Sequence, residues 1–203
     1  MIAIRPYAPS DLDALYAISM ATGDRGSDAA HLYSDPRLMG HIYAAPYATL
    51  QPELALVVED SEGVAGYAVG AGDTEVWQRV LEESWWPSLR LLYPQPALST
   101  REPTADERRI AVIHKPEHAP PSVAARFPMH MHLNLLPRLQ GQGIGRRMYE
   151  AWINLSVTGG CKSMHIATNR ANARAIDFWS RLGFSDVTPL EDAGGRTIWM
   201  GRA

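Results

Sequence analysis

A glycine-rich segment in the second half of the chain has the composition of an anion-binding loop. It comprises Gln140, Gly141, Gln142, Gly143, Ile144, Gly145 and Arg146. An apolar run at residues 129–136 precedes it and predicts a buried strand. Apolar residues at Ile144, Met148 and Trp152 then predict a helix. Glycines let backbone N–H groups turn toward a ligand, and a helix start adds unpaired donors and partial positive charge. The segment therefore predicts a diphosphate site.

Two familiar kinds of phosphate-binding glycine loop fit this spacing poorly. The loop of nucleotide triphosphatases needs Lys and then Ser or Thr after its last glycine, but Arg146 and Arg147 follow here. The dinucleotide fingerprint needs a third glycine where Arg146 stands, and an acid about 20 residues later. The next predicted strand, residues 164–168, ends without an acid. The spacing therefore favours a third kind of diphosphate-binding loop.

The pattern Gln140-x-x-Gly143-x-Gly145 resembles the [QR]-x-x-G-x-[GA] signature of the GCN5-related N-acetyltransferase (GNAT) superfamily. In that superfamily the loop holds the pyrophosphate of coenzyme A. A second segment, from Asn172 to Phe184, is similar to the superfamily pattern N-x-x-A-[IL]-x-[LF]-Y-x-[KR]-L-G-F. Its apolar residues recur at helical spacing, and Gly183 is suited to end the helix. The chain is identified as a member of this superfamily by these two motifs.

This resemblance implies an α/β (α+β) GNAT fold, with a mixed central sheet of about six to seven strands flanked by helices. The strand before the glycine loop is expected to splay from the strand after it and to expose backbone groups to acetyl-CoA, with the N–H near Leu135 serving the thioester oxygen. The resemblance implies acetyl-CoA as cofactor and an amine as acceptor. The implied cofactor-binding residues are Leu135, Leu136, Gln140, Gly141, Gln142, Gly143, Ile144, Gly145, Arg146 and Asn172.

Two histidines on the predicted strand are candidates for the catalytic base. An alkyl ammonium has a pKa near ~10 and must lose a proton before it attacks a thioester. His130 and His132 share a strand face with Asn134, because strand side chains alternate. An imidazole titrates near neutral pH, so His132 or His130 is suited to act directly or through water. The alternative is a structural, hydrogen-bonded role. No metal site is predicted, because no cysteine or suitably spaced acid lies near them.

Two departures from family patterns leave the chemistry open. The His-x-His pair is similar to the strand of aralkylamine acetyltransferases, but its offset to the glycine loop differs by one residue. Such a shift reverses the strand faces unless a bulge absorbs it. Trp179 stands where many members carry a tyrosine acid, and an indole lacks usable acidity. Either the thiolate leaves unaided, or Tyr149 or another hydroxyl serves, or catalysis is impaired. Trp179 is expected to pack beside the pantetheine or in the core.

The first half resembles the acetyltransferase-like domain at the C-terminus of animal O-GlcNAc hydrolases. Among the similar groups are Tyr33-Ser34-Asp35, Ala45-Pro46-Tyr47 and Gly66-Tyr67-Ala68. That domain is regarded as a pseudo-acetyltransferase with a degraded CoA loop, whereas the loop is intact here. A chain of 203 residues has no room for a hydrolase domain, so the resemblance suggests a free-standing, bacterial-type relative. Two functions remain: an acetyl-CoA-dependent N-acetyltransferase for a primary amine of a small molecule or peptide, or a catalytically impaired acyl-CoA-binding or interaction module.

Bulk properties narrow the setting. The length of 203 residues favours one domain, residues 1–203. A net charge of −3 argues against a nucleic-acid partner. The single cysteine, Cys161, excludes an internal disulfide and fits a reducing compartment. The start lacks the features of a signal peptide, and no apolar run reaches about 18 residues, so no membrane partner is predicted. We expect a cytoplasmic monomer or homodimer.

The remaining elements position the two motifs. The pattern predicts an edge strand at residues 2–5, a helix from residue 10, a helix at 37–45 and a hairpin over 54–70. An insert of approximately residues 73–126 precedes the strand that carries the histidines. Within it we expect a helix at 74–92 broken at Pro87, a mobile surface segment at 94–109 and a short strand at 110–114.

The insert also holds candidates for acceptor contacts. Four aromatic residues, Trp77, Trp85, Trp86 and Tyr93, are expected in the core rather than in an aromatic pocket for an amine. Three acids at element ends, Asp35, Asp73 and Glu75, are candidates to attract an ammonium, and the sequence does not select among them.

Overall fold

The computed structural model describes residues 2–97, 100–156 and 163–203, and its centre is a mixed seven-stranded sheet. The strands are β1 (Ala3–Pro6), β2 (Ala55–Asp60), β3 (Gly63–Ala71), β4 (Met129–Leu135), β5 (Met164–Asn169), β6 (Ser185–Asp186) and β7 (Thr197–Arg202). Their spatial order is β1-β2-β3-β4-β5-β7-β6. Neighbours pair antiparallel except β4 and β5, which are parallel. The predicted α/β fold with a mixed sheet is confirmed. Cys161 lies outside the described residues.

Helices cover both faces of the sheet. They are α1 (Leu12–Ala21), α2 (Leu38–Tyr43), α3 (Ala45–Leu50), α4 (Thr74–Ser84), α5 (Trp86–Leu92), α6 (Ala105–His114), α7 (Pro121–Arg126), α8 (Ile144–Ser156) and α9 (Ala173–Arg181). Helices α4 to α7 form the segment between β3 and β4, where the insert is predicted. No helix within the described ranges has the length and apolar character needed to cross a bilayer.

One part of the insert differs from the prediction. The short strand expected at residues 110–114 is wrong, because these residues form the second half of α6. The expected surface segment at 94–109 likewise gives way to this helix at Ala105. A capping box explains its start: Glu107 N–H donates to the Thr104 hydroxyl at 3.2 Å, and Thr104 N–H donates to the Glu107 carboxylate at 2.8 Å. These two bonds satisfy donors that a helix start otherwise leaves unpaired.

Other elements follow the sequence pattern with local breaks. The predicted hairpin is β2 and β3, and the predicted helix at residues 74–92 is interrupted at Trp85, with Pro87 in the first turn of α5. The helix predicted at 37–45 is shorter, since α2 ends at Tyr43 and the non-helical Ala44 separates it from α3.

The centre of the sheet is open at one end. The pairing described between β4 and β5 comprises only Met129 with Met164 and His130 with His165. Further along, β4 continues to pair with β3 and β5 continues to pair with β7. The two central strands therefore diverge after a short parallel ladder, which leaves a wedge-shaped gap between them. The sheet separates the helical layer of α8 and α9 from the layer of α1 to α6, and this gap is an opening between the two layers.

Candidate active site

The glycine loop leaves a row of backbone amides free at the N-terminus of α8. Gly141 and Gly143 have φ angles of 75° and 74°, in the left-handed region that favours glycine. A Cβ at either position would meet no atom within 4 Å. Among the described residues, no hydrogen bond is donated by the amides of residues 141–146. The neighbouring amides are used, because Gln140 donates to Pro137 O and Arg147 donates to Gly143 O. This row of donors fits a diphosphate.

The third glycine of the motif serves packing. A Cβ at Gly145 would lie 3.0 Å from the Phe178 ring, so glycine lets α8 approach α9 closely. Ile144 is buried in the core beneath the loop. Gly141 and Gly143 are therefore needed for their backbone conformation, and Gly145 is needed because a larger side chain would not fit.

The side chain of Gln140 connects β4 to α9 beside the gap. Its Nε2 donates to Leu135 O at 2.7 Å, and its Oε1 accepts from Arg174 at 2.7 Å. This bridge links the end of β4 to the first turn of α9. A long amide side chain at this motif position thus has a structural role whether or not it contacts a ligand.

The arginines around the loop are partly engaged. Arg138 forms an ion pair with Asp60 at 2.8 Å, which joins the loop to the β2–β3 hairpin. Arg146 is exposed, lies 3.9 Å from Glu150 and donates to Arg181 O. Arg146 therefore keeps donors that a phosphate can use, whereas Arg138 is held by its carboxylate.

The backbone of β4 faces the gap at alternate residues. Leu136 N–H donates to Ala65 O at 2.8 Å, so Leu136 directs its donor toward the β3 side. Because alternate residues of a strand bond to opposite neighbours, Leu133 and Leu135 direct their N–H groups toward β5, beyond the last described β4–β5 pair. These two donors face the gap, and the backbone donor of Leu136 does not.

On the other side of the sheet, four side chains form a continuous hydrogen-bond chain. The Thr74 hydroxyl lies 2.7 Å from Pro128 O and 2.7 Å from His130 Nδ1. The Tyr47 hydroxyl lies 2.8 Å from His130 Nε2 and 3.2 Å from His132 Nε2. Trp77 stacks on the Tyr47 ring with centroids 4.6 Å apart, which holds the phenol between the two imidazoles. The predicted pair His130 and His132 is thus joined by a tyrosine from α3.

The donors in this chain can be assigned in sequence. Thr74 has one hydroxyl hydrogen and donates it to Pro128 O, so its oxygen accepts from His130 Nδ1–H. A neutral His130 then offers a lone pair at Nε2, which accepts from the Tyr47 hydroxyl. The Tyr47 oxygen in turn accepts from His132 Nε2–H. By this order, the free lone pair of the chain is Nδ1 of His132.

Burial keeps the histidines of this cluster neutral. Burial lowers the pKa of His132 to about 4, and His165 adds to the shift. Burial also holds the pKa of His130 well below its usual value, with further contributions from His165 and His132. In the described part of the chain, no group of three or more His, Cys, Asp or Glu is arranged to hold a metal ion.

These lowered pKa values predict acid sensitivity. An unfolded histidine binds a proton near pH ~6.5, whereas folded His132 does so only near pH 4, so unfolding takes up protons between these values. We expect the free energy of unfolding to fall as pH is lowered from about 6.5 to about 4.5, by about 1.4 kcal/mol per unit for each such histidine. Urea unfolding at several pH values measures this slope. His132→Gln should flatten it, and His31→Gln, at an exposed position, should not; equal slopes in both variants would contradict the assignment.

The register between β3 and β4 is continuous. It runs from Gly66 opposite Leu135 to Ala71 opposite His130 without a shift. The bulge that would reconcile the histidine offset with the aralkylamine pattern is therefore not present in this described pairing. His130 and His132 stay on one face, while Met129 and Met131 lie in the core beneath α8.

The two histidines line a cavity of about 1260 Å³ beside the gap. Tyr47, Thr74 and Asn134 line the same cavity. Asn134 Nδ2 donates to the Thr22 hydroxyl at 2.6 Å, and that hydroxyl donates to Ile18 O. The Oδ1 of Asn134 is thus left to accept a hydrogen bond from a molecule in the cavity.

The three acids predicted as candidates to attract an ammonium do not line this cavity. Asp35 accepts from the Tyr93 hydroxyl at 2.6 Å, and Asp73 caps α4 through Val76 N–H. Among the described residues that line the cavity, none is Asp35, Asp73 or Glu75. Trp77 and Trp86 are buried in the core, as expected, and also reach the cavity wall.

Trp179 packs in the core, which is one of the two positions expected from the sequence. It lies in edge contact with Tyr149 and Phe184, and it is 6% exposed. The Tyr149 hydroxyl accepts from Arg202 at 2.7 Å, and Tyr149 is not among the described residues that line the cavity.

Asn172 caps α9, because its Oδ1 accepts from Ala175 N–H at 3.1 Å. It also lines the cavity at the open end of β5. Asn172 therefore lies at the cavity wall next to the end of β5, and its Nδ2 is left as a donor.

Comparison with known proteins identifies the class. The model of the acetyltransferase (GNAT) family matches residues 28–184, and the chain belongs to this family. The crystal structure of SsHAT superposes with a TM-score of 0.89 at 34% identity, covering 99% of this chain and 97% of that one. The PaiA N-acetyltransferase of Thermoplasma acidophilum, solved with coenzyme A, shares the fold at a TM-score of 0.52 and 14% identity, over 100% and 98% of the two chains.

The curated relatives include protein O-GlcNAcase of Rattus norvegicus. It is 22% identical over 200 residues, which cover 98% of this chain and 22% of the relative. The chain therefore spans about a fifth of the length of that protein.

Proposed function

We propose that this chain is an acetyl-CoA-dependent N-acetyltransferase that acetylates a primary amine. The observation that carries the proposal is the early end of the β4–β5 ladder after His130 and His165. Beyond this pair the sheet is open between β4 and β5. The free amides lie on the α8 side of the opening, and the histidine-lined cavity lies on the other side. A thioester bound from one side and an amine bound from the other can meet in such a gap.

The loop residues supply the cofactor contacts in this proposal. The amides of residues 141–146 hold the diphosphate, since they are consecutive, free and at a helix N-terminus. Arg146 adds charge at the edge of this site. Leu133 and Leu135 offer N–H groups along the gap, where one of them stabilises the negative charge that develops on the thioester oxygen. Asn172 offers its Nδ2 from the opposite wall.

His132 is the proposed base. Its Nδ1 carries the free lone pair of the hydrogen-bond chain and it lines the cavity, while Asn134 Oδ1 accepts from the acceptor amine. When Nδ1 takes the amine proton, His132 becomes an imidazolium whose Nε2–H still donates to the Tyr47 oxygen. Tyr47 keeps its own hydrogen bond to His130 Nε2, so the chain holds the His132 ring in place while that ring carries the charge.

A turnover assay tests the proposal. The purified chain is mixed with acetyl-CoA and with panels of small amines, amino acids, polyamines, aminoglycosides and peptides, and thiol release is measured. We expect acceptor-dependent release with at least one panel, and mass spectrometry should find the N-acetylated product. If acetyl-CoA binds and no panel member promotes release, the chain acts as an acyl-CoA-binding or interaction module. The core position of Trp179, where a tyrosine acid is common, is the observation that favours this second function.

A further inference from the structure

We infer that the acceptor carries an anionic group, a carboxylate or a phosphate, in addition to its amine, and that Arg109 binds this group. The inference rests on the proposed function, because it concerns the second substrate of the same site. It is carried by the position of Arg109, by the charge of the cavity wall and by the path from Arg109 to His132.

Arg109 reaches the cavity from α6 without an acidic partner in contact. Its Nε donates to the Tyr33 hydroxyl at 3.1 Å and its Nη1 donates to the Tyr43 hydroxyl. Within the described ranges, no carboxylate oxygen lies within 4.0 Å of its guanidinium nitrogens, and Glu117 acts on it only from farther away. Burial raises the pKa of Tyr43 above its usual value, so the Tyr43 hydroxyl does not offset the charge of Arg109. The guanidinium charge is therefore left for a ligand.

The cavity wall as a whole has excess positive charge. Its described charged side chains, histidines apart, are Arg25, Arg108, Arg109, Arg170, Arg196, Asp24 and Glu117. Arg25 is paired with Asp24 at 3.0 Å, which leaves four arginines against one acid. The chain itself has a net charge of −3, so this concentration of arginines is local. A positive cavity attracts anionic ligands and disfavours polyamines.

Tyr43 connects the proposed anion position to the base. Its ring centre lies 5.8 Å from that of His132 and 5.4 Å from Arg109 Cζ. The amine at His132 and the anion at Arg109 are thus separated by about the width of one aromatic ring and its contacts. Such a spacing suits a small molecule in which several bonds separate the amine from a carboxylate or phosphate.

Binding to the CoA-loaded protein tests this inference without requiring turnover. Calorimetry compares matched amines: ethanolamine phosphate with ethanolamine, glucosamine 6-phosphate with glucosamine, and β-alanine with β-alaninamide. The phosphate and carboxylate pairs separate the two sources of charge. We expect at least one anionic member to bind about tenfold or more tightly than its neutral counterpart. Arg109→Gln should remove this preference, and Arg109→Lys should retain part of it.

The control is Arg79→Gln, which removes an exposed charge on α4 outside the cavity and should keep the full preference. The inference is overturned if no anionic probe binds more tightly than its neutral partner, or if the preference survives in Arg109→Gln. Thiol release measured in parallel separates the two proposals. Acetylation without an anion preference contradicts only the anionic subsite, whereas anion-selective binding without acetylation of any bound amine contradicts only the transferase function.

Discussion

Replacing Gly143 by aspartate is expected to weaken acetyl-CoA binding at least about a hundredfold. Gly143 lies in the middle of the row of free amides, with φ of 74° and open space where a Cβ would be. An aspartate there places a negative carboxylate against the site proposed for the diphosphate and strains the backbone that orients the donors. Calorimetry with acetyl-CoA measures the loss directly.

Gly63→Asp is the matched control. Gly63 also has a positive φ, 106°, and its Cβ position is equally open, but it lies at the start of β3, next to the β2–β3 turn. The two variants should lose similar stability in urea unfolding, and only Gly143→Asp should lose acetyl-CoA binding. If Gly143→Asp kept wild-type affinity, the loop would not be the diphosphate site.

Replacing His132 by alanine is expected to lower kcat by about a hundredfold or more, with little change in acetyl-CoA affinity. The variant removes the free Nδ1 lone pair and opens the chain at Tyr47. Because burial lowers the pKa of His132 to about 4, the imidazole is already neutral above pH 5. The wild-type rate at low acceptor concentration should therefore rise with pH as the amine deprotonates, without a histidine step between pH 5 and 8.

His118→Ala provides the comparison, because His118 lines the same cavity and lies outside the hydrogen-bond chain. Tyr47→Phe should lower kcat by about tenfold, since it keeps the base and removes only the hydrogen bond that fixes the tautomer and position of His132. If the His132→Ala variant kept the wild-type kcat, His132 would be excluded as the base. A rate step near pH 6.5 that disappears in His132→Ala would instead indicate an imidazole with an ordinary pKa.

The glycine loop was predictable because its function depends on local backbone geometry. Positive φ at Gly141 and Gly143, and the helix that starts at Ile144, are properties of a short contiguous segment. The shared face of His130, His132 and Asn134 follows from strand alternation in the same way. The prediction failed at residues 110–114, where an apolar run suggested a strand. The capping box of Thr104 and Glu107 was the readable signal that a helix begins nearby.

The partners of the histidines had no signal in the sequence. Tyr47 and Thr74 are 83 and 56 positions from His130 along the chain, and both hydrogen bonds exist only because α3 and α4 pack against the same sheet face. Arg109 was likewise assigned to a surface segment, and its approach to Tyr43 depends on how α6 packs against α2.

The sequence by itself determined the local pieces: a strand with two histidines on one face, a turn that only glycine adopts easily, and a helix start with free donors. Each depends on residues close together in the chain, where backbone geometry and side-chain periodicity apply directly. The tertiary structure alone decided where β4 and β5 part, which nitrogen of His132 is free and which charges surround the cavity. Those features come from contacts between distant segments, and packing sets them rather than spacing.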